Sequence, residues 1–181
     1  MKAVILAGGA GSRMGGNKPF QAFGQTTLIE TVIARLRPQV GEVVINAGRR
    51  DSALVLPLSC LGARLIYDDM PGLGPLSGVL SALEMARAAG DKAVVTAPCD
   101  MPNLPDDMVA QLDAGDGDIV CFAGLRDYPL CARWRVGVMP ALRAALETAD
   151  GGLPVMRFLD SQSVTKITVT DESAFVNVNR A

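Results

Sequence analysis

Short apolar runs alternate with stretches of helical periodicity through most of the 181 residues. The runs at Lys2–Leu6, Glu42–Asn46, Ala63–Tyr67 and Lys92–Ala97 place apolar side chains on successive residues, as strands covered on both faces do. Thr27-Leu28-Ile29-Glu30 is a capping box, and it opens a helix whose apolar face is Leu28, Ile29, Val32, Ile33 and Leu36, with Pro38 as its stop. Leu76, Val79, Leu80, Leu83 and Ala86 predict a second helix from about Pro75 to Ala89. Pro105, Asp106 and Asp107 predict a third, with proline at its first position.

In the second half, Asp118–Ala123, Pro129–Trp134 and Val164–Thr170 read as strands and Pro140–Thr148 as a helix. Strands joined by helices of this length predict βαβ units and a mostly parallel sheet with helices on both faces. The close pair of strands around Leu125–Tyr128 adds a small antiparallel element. There is no linker or repeat, so a single domain over 1–181 is expected, and ligands are expected beyond the carboxyl ends of the strands.

At that place lies the loop Leu6-Ala7-Gly8-Gly9-Ala10-Gly11-Ser12-Arg13-Met14-Gly15-Gly16-Asn17-Lys18. Glycines allow backbone N–H groups to turn inward as an oxyanion nest. Arg13 can fork onto a phosphate and Lys18 can set a compact charge beside it. The loop reads as a triphosphate cradle, although it matches neither the P-loop, since Pro19 follows Lys18, nor the Rossmann glycine spacing. A plain glycine-rich turn from strand to helix is the alternative.

The chain has no histidine, which removes the Ser-His-Asp triad, the Cys-His pair and the His-ligated zinc site. Its chemistry is left to carboxylates, Lys, Arg, backbone amides and a hard metal ion. Cys60, Cys99, Cys121 and Cys131 form no C-x-x-C pair and sit in or beside apolar runs, so all four are expected to be reduced core thiols. A net charge of −2 does not favour nucleic acid as a partner. No signal-peptide pattern and no membrane-length apolar segment is present, so a cytoplasmic location without membrane contact is expected.

Asp100 stands between Pro98 and Pro102, just past a buried strand, where one carboxylate can hold Mg²⁺ while phosphates and water complete the shell. A turn or helix-cap aspartate is the other reading. Gly72, Gly74 and Ser77 lie at the entry to the Pro75 helix, whose free N–H groups can meet an anion or a base edge. Asp68 and Asp69 precede it, and an aspartate can accept the paired donors of guanine; a solvated acidic loop is the alternative. Asn46 ends a strand, where it can donate to ribose or phosphate or simply close a turn. Asn177 and Asn179 fall on one side of an extended segment, as a binding rim or as a terminal edge strand.

Together these motifs resemble the molybdenum cofactor guanylyltransferases, within the nucleotidyltransferases of Rossmann-like three-layer fold. The resemblance covers nearly the whole chain. It rests on Leu6-Ala7-Gly8-Gly9 through Arg13 to Lys18, on Gly74-Pro75-Leu76-Ser77-Gly78, on Pro98-Cys99-Asp100-Met101-Pro102, and on Phe175-Val176-Asn177-Val178-Asn179. It implies that the loop residues Leu6, Ala7, Gly8, Gly9 and Gly11 hold the nucleotide, that Arg13 and Lys18 contact phosphate, that Asp100 binds Mg²⁺, and that Asp68 recognises guanine. The chain departs from the family at Asn17, where an aspartate is usual, and at Tyr128-Pro129, where His-Pro is usual. It also ends at Arg180-Ala181, where Thr-Pro and a helix usually follow, which reads as a trimmed C-terminus.

The activity implied is transfer of GMP from GTP to the phosphate of molybdopterin, with Lys18, Arg13 and Asp100 as the catalytic groups and proteins that deliver or receive the cofactor as further partners. A relative using CTP or another phosphorylated acceptor is the rival reading. A nucleotide-binding subunit without activity is another.

Overall fold

The computed structural model describes residues 1–8 and 17–178. Its strands are β1 (Lys2–Leu6), β2 (Ala22–Phe23), β3 (Thr26–Thr27), β4 (Glu42–Asn46), β5 (Arg64–Ile66), β6 (Ala93–Pro98), β7 (Ile119–Ala123), β8 (Asp127–Arg135) and β9 (Val164–Thr168). Its helices are α1 (Leu28–Leu36), α2 (Val55–Ser59), α3 (Pro75–Ala88), α4 (Met108–Ala114), α5 (Met139–Glu147) and α6 (Val155–Leu159). Seven strands form one sheet in the order β5-β4-β1-β6-β8-β7-β9, and β2 pairs with β3 as a separate antiparallel ribbon. In the main sheet β8 alone runs against its neighbours β6 and β7, while β7 and β9 are parallel. The mostly parallel sheet with a small antiparallel addition is therefore as the sequence predicts.

Alternation along each strand divides the core into two layers. Ala3, Ile5, Val43, Ile45, Val95, Ala97, Val120 and Phe122 face the side covered by α1 and α4. Val4, Val44, Val94, Ile119, Cys121, Ala132 and Trp134 face α3, α5 and α6. Both faces are dry, which is why the strands carry apolar runs and not a polar alternation. The polar side chain of Thr96 in β6 is fully buried and is satisfied: Trp134 Nε1 donates to its Oγ1 at 2.8 Å, and the hydroxyl donates to Leu130 O at 2.8 Å.

Local signals account for α1 completely. Thr27 Oγ1 accepts from Glu30 N, Glu30 Oε2 accepts from Thr27 N at 2.9 Å, and the five predicted apolar positions are the buried ones. The helix expected at Pro105 instead starts at Met108. Residues 105–107 form a turn in which Met108 N donates to Pro105 O, and Gln39 bridges it by donating to Pro105 O and accepting from Val109 N at 3.0 Å. Because Gln39 from another element satisfies an early helical N–H, proline is not needed at the first position. Cys60 is also a correction: it is exposed at the end of the short helix α2, whereas Cys99, Cys121 and Cys131 are buried.

Two features aim the carboxyl edge of the sheet. In β8 the ladder to β7 passes from Cys121↔Ala132 directly to Phe122↔Tyr128, leaving Pro129, Leu130 and Cys131 as a bulge. Proline donates no ladder hydrogen bond, so it fits an irregularity of this kind. In addition, the chain leaving β1 crosses the chain leaving β4 at glycine on glycine. A Cβ on Gly8 would lie 2.3 Å from both Cα and N of Gly48, and Gly48 itself has φ +69°.

No helix among the described residues is long and apolar enough to cross a membrane. Gly8→Ala should cost about 2 kcal/mol of stability, because only backbone can move aside; urea denaturation of the two proteins checks this, and an unchanged midpoint would contradict the crossing.

Candidate active site

A cavity of about 390 Å³ opens at the carboxyl edge of the sheet. Leu6, Ala7 and Gly8 enter it from β1, Asn46 from β4, Asp68 from the loop after β5, Cys99 and Asp100 from the loop after β6, and Arg126 to Cys131 from β8 and its approach. Lys18 and Asn177 close it from opposite ends of the chain. The sheet order brings these segments together. β1 lies between β4 and β6, so their three loops are neighbours.

Lys18, Asp100 and Asn177 meet at the centre. The Lys18 ammonium pairs with Asp100 Oδ2 and donates to Asn177 Oδ1 at 3.1 Å. Asp100 lies two residues past Pro98, the last residue of β6, and the backbone is pinned at Cys99 and at Asp100. Cys99 N donates to Leu6 O at 3.3 Å, and Val178 N donates to Asp100 O at 2.9 Å. Among the described residues, Asp100 Oδ1 is the buried side-chain oxygen with no hydrogen-bond partner. An ionised oxygen without a donor is costly unless a ligand supplies positive charge. That orphan lone pair fits a divalent cation with the chemistry expected from one carboxylate, its remaining ligands coming from phosphate and water.

The C-terminal segment reaches this point without forming a strand, contrary to the edge-strand alternative. It turns through a 3-10 helix at Glu172–Phe175. Phe175 is 1% exposed and sits against the rings of Phe122 and Tyr128, with centroids 4.9 and 4.7 Å away. Glu172 accepts from Leu125 N and, at 2.8 Å, from the Tyr128 hydroxyl. With Phe175 plugged into the core and Glu172 tied to the tip between β7 and β8, Asn177 is delivered to Lys18. The tie is a pairing that sequence reading misses, since the partners are 44 residues apart.

At the β5 side, Asn46 and Asp68 act as a unit. Asn46 is 2% exposed; its Oδ1 accepts from Gly48 N at 3.2 Å and its Nδ2 donates to Asp68 Oδ1 at 2.9 Å. The amide offered by the sequence to ribose or phosphate thus orients Asp68. A Cβ on Gly78 of α3 would come within 3.0 Å of that Asn46 Oδ1, so a glycine there lets the helix close over the pair. Gly74, with φ +89°, turns the chain into α3 and lines the cavity. Ser77 does not reach the cavity: it is 1% exposed and donates to Met70 O at 2.7 Å, which fastens the loop in front of the helix. Gly9, Gly11, Arg13 and Asn179 lie outside the described residues.

Burial, reinforced by the nearby Asp100 charge, pushes the Cys99 thiol up to about 12, and the same causes raise Cys131. Burial also raises the Asp68 carboxyl above its usual range, while the Asn46 hydrogen bond opposes this and Asp69 adds repulsion. A carboxyl whose folded value is raised contributes stability below its unfolded value and loses it as pH climbs through the folded one. Asp68→Asn keeps an acceptor for Asn46, so it should unfold at higher urea than the parent at about pH 7, with the gap closing toward about pH 3. Equal midpoints across that range would contradict the burial cost.

The family described as MobA-like NTP transferase domain matches residues 3–165. A molybdenum cofactor guanylyltransferase of Cereibacter sphaeroides is 41% identical over 179 residues, covering 97% of this chain and 89% of that protein. A solved molybdopterin-guanine dinucleotide biosynthesis protein A from Archaeoglobus fulgidus superimposes with a TM-score of 0.81 at 24% identity, over 99% of this chain and 92% of its own. A Mycobacterium tuberculosis protein in complex with manganese shares the fold at a TM-score of 0.66 and 15% identity, over 93% of this chain and 87% of its own. By sequence and fold the chain belongs to the MobA-like NTP transferases, a family of nucleotidyltransferases.

Proposed function

We propose that this protein transfers GMP from GTP to the terminal phosphate of molybdopterin, forming molybdopterin guanine dinucleotide and releasing pyrophosphate. The observation that carries the reading is the meeting of Lys18, Asp100 and Asn177 in one cavity with the Asn46–Asp68 pair. The curated relatives that share up to 41% identity bear the name of this activity.

The acceptor phosphate is already anionic, so its oxygen attacks the α-phosphorus without a general base, and a chain lacking histidine is sufficient. The bond from the α-phosphorus to the bridging oxygen breaks, and that oxygen leaves with the pyrophosphate. Lys18 neutralises charge on the phosphates, held in place by Asp100 and Asn177. The backbone at Leu6, Ala7 and Gly8 and the segment containing Gly9, Gly11 and Arg13 cradle the triphosphate. Asp68, aimed by Asn46, accepts from N1–H and the N2 amino group of guanine, while Gly74 leaves room for the nucleotide. In this reading Asn177 and Asn179 contribute to substrate binding.

Asp100 would hold a divalent ion through Oδ1, and in this reading the ion is Mg²⁺. When bound, it supplies Lewis-acid neutralisation of phosphate charge. The whole chain acts as one domain over 1–181, in the cytoplasm, where the substrates and the proteins that deliver or receive the cofactor would meet it.

Pyrophosphate release measured with each nucleoside triphosphate, with and without molybdopterin, tests the reading. Release should require GTP and the acceptor together; equal release with CTP, or GTP binding without release, would overturn it. Asp100→Ala and Lys18→Ala should each lower turnover about a hundredfold, the loss of about 3 kcal/mol of transition-state stabilisation, while circular dichroism melts stay native-like. Near-parental turnover in either variant would remove the assigned role. Chelation by excess EDTA should abolish release, and added Mg²⁺ should restore it.

A further inference from the structure

The sheet order separates two substrate regions. Asp68 follows β5, and Arg126 leads into β8, four strand positions away, about 19 Å at the usual spacing. The triphosphate centre at Lys18 and Asp100 stands between them, beside β1 and β6. A nucleotide laid from Asp68 to Lys18 occupies the β5 side. The second substrate must therefore reach the α-phosphorus from the β8 side, and it arrives as an anion facing another anion.

On that side, Arg126 is the cation. Lys18 and Arg126 are the cationic residues lining the cavity among the described residues, and Lys18 is already engaged with Asp100 and Asn177. Asp127, next in sequence, is turned to Lys166, whose ammonium lies 2.8 Å from its Oδ2. No carboxylate pairs with Arg126 among the described residues. Its guanidinium instead rests 5.3 Å from the centroid of the Tyr128 ring and donates to Phe175 O at 3.5 Å, the outer limit of a hydrogen bond.

The platform beneath it is fixed. Tyr128 is 3% exposed, packs on Phe175 and is anchored through its hydroxyl to Glu172. Glu172 and Phe175 together hold the C-terminal segment, so the weak Arg126 contact is not needed to keep that segment down. A guanidinium that lines the cavity and is backed by a rigid aromatic face is arranged to fork onto a phosphate.

We infer that Arg126 binds the terminal phosphomonoester of the acceptor and directs its oxygen at the α-phosphorus. The inference deepens the guanylyl-transfer reading and rests on it. The two cavity cations then divide the substrates between them, with Lys18 serving the nucleotide and Arg126 the acceptor.

The test measures initial rates of pyrophosphate release, varying molybdopterin at saturating GTP and then GTP at saturating molybdopterin, for the parent, Arg126→Gln and Arg126→Lys. Loss of a charge-assisted fork should raise the KM for molybdopterin in Arg126→Gln by at least about tenfold, with the KM for GTP unmoved, and Arg126→Lys should fall between. Equal rises in both KM values would make Arg126 a support of the C-terminal segment, and an unmoved acceptor KM would remove it from the site; either result overturns the inference. Titration of molybdopterin into the protein without GTP gives a readout independent of turnover, and weaker binding by Arg126→Gln is the expected result. A parent that binds molybdopterin through Arg126 yet releases no pyrophosphate would sink the transfer reading, and with it the aim at the α-phosphorus, while the phosphate contact at Arg126 stands.

Discussion

The carboxylate of Asp100 is the point on which the remaining site geometry depends. It accepts the Lys18 ammonium on one oxygen and keeps the other buried without a donor. The backbone carbonyl of Asp100 accepts from Val178 N, and the preceding Cys99 N is held by Leu6 O. A charge held this way cannot swing out to water, and its neighbours inherit the same rigidity. Such preorganisation is the main means by which an enzyme whose reaction needs no general base can favour a charged transition state.

Glycine on glycine makes the crowding possible. The chains leaving β1 and β4 approach so closely at Gly8 and Gly48 that side-chain atoms have no room. The close passage puts Asn46 beside β1 and lets its amide reach both Gly48 and Asp68. The Asn46–Asp68 end of the cavity is therefore shaped by backbone proximity and the Lys18–Asp100 end by ionic contacts. The bulge of Pro129, Leu130 and Cys131 forms the opposite wall.

Where the sequence is readable, the signal is local or periodic. The capping box of α1 and its buried stripe depend on residues within nine positions of one another, so the pattern alone identifies them. The parallel strands read as apolar runs because both of their faces are dry. The start of α4 is not legible, because Gln39, from a distant turn, takes the part expected of Pro105. Nor is the exposure of Cys60, because α2 is a short helix with no clear periodicity. Ser77 resembles a ligand because a hydroxyl at a helix entry can face either way, and only Met70 O shows which way it turns.

The sequence by itself determined which chemistry was available: glycines for close approach, Lys18 and Asp100 for charge, and no histidine for proton transfer. It also determined the layered α/β class, since hydrophobic periodicity reports burial directly. Only the tertiary structure decided that Asn177 would stand on Lys18, 159 residues away, that Asn46 would orient Asp68, and that Glu172 would answer Tyr128. Those pairings depend on strand order and loop closure, which join distant residues through contacts that leave no periodic trace along the chain.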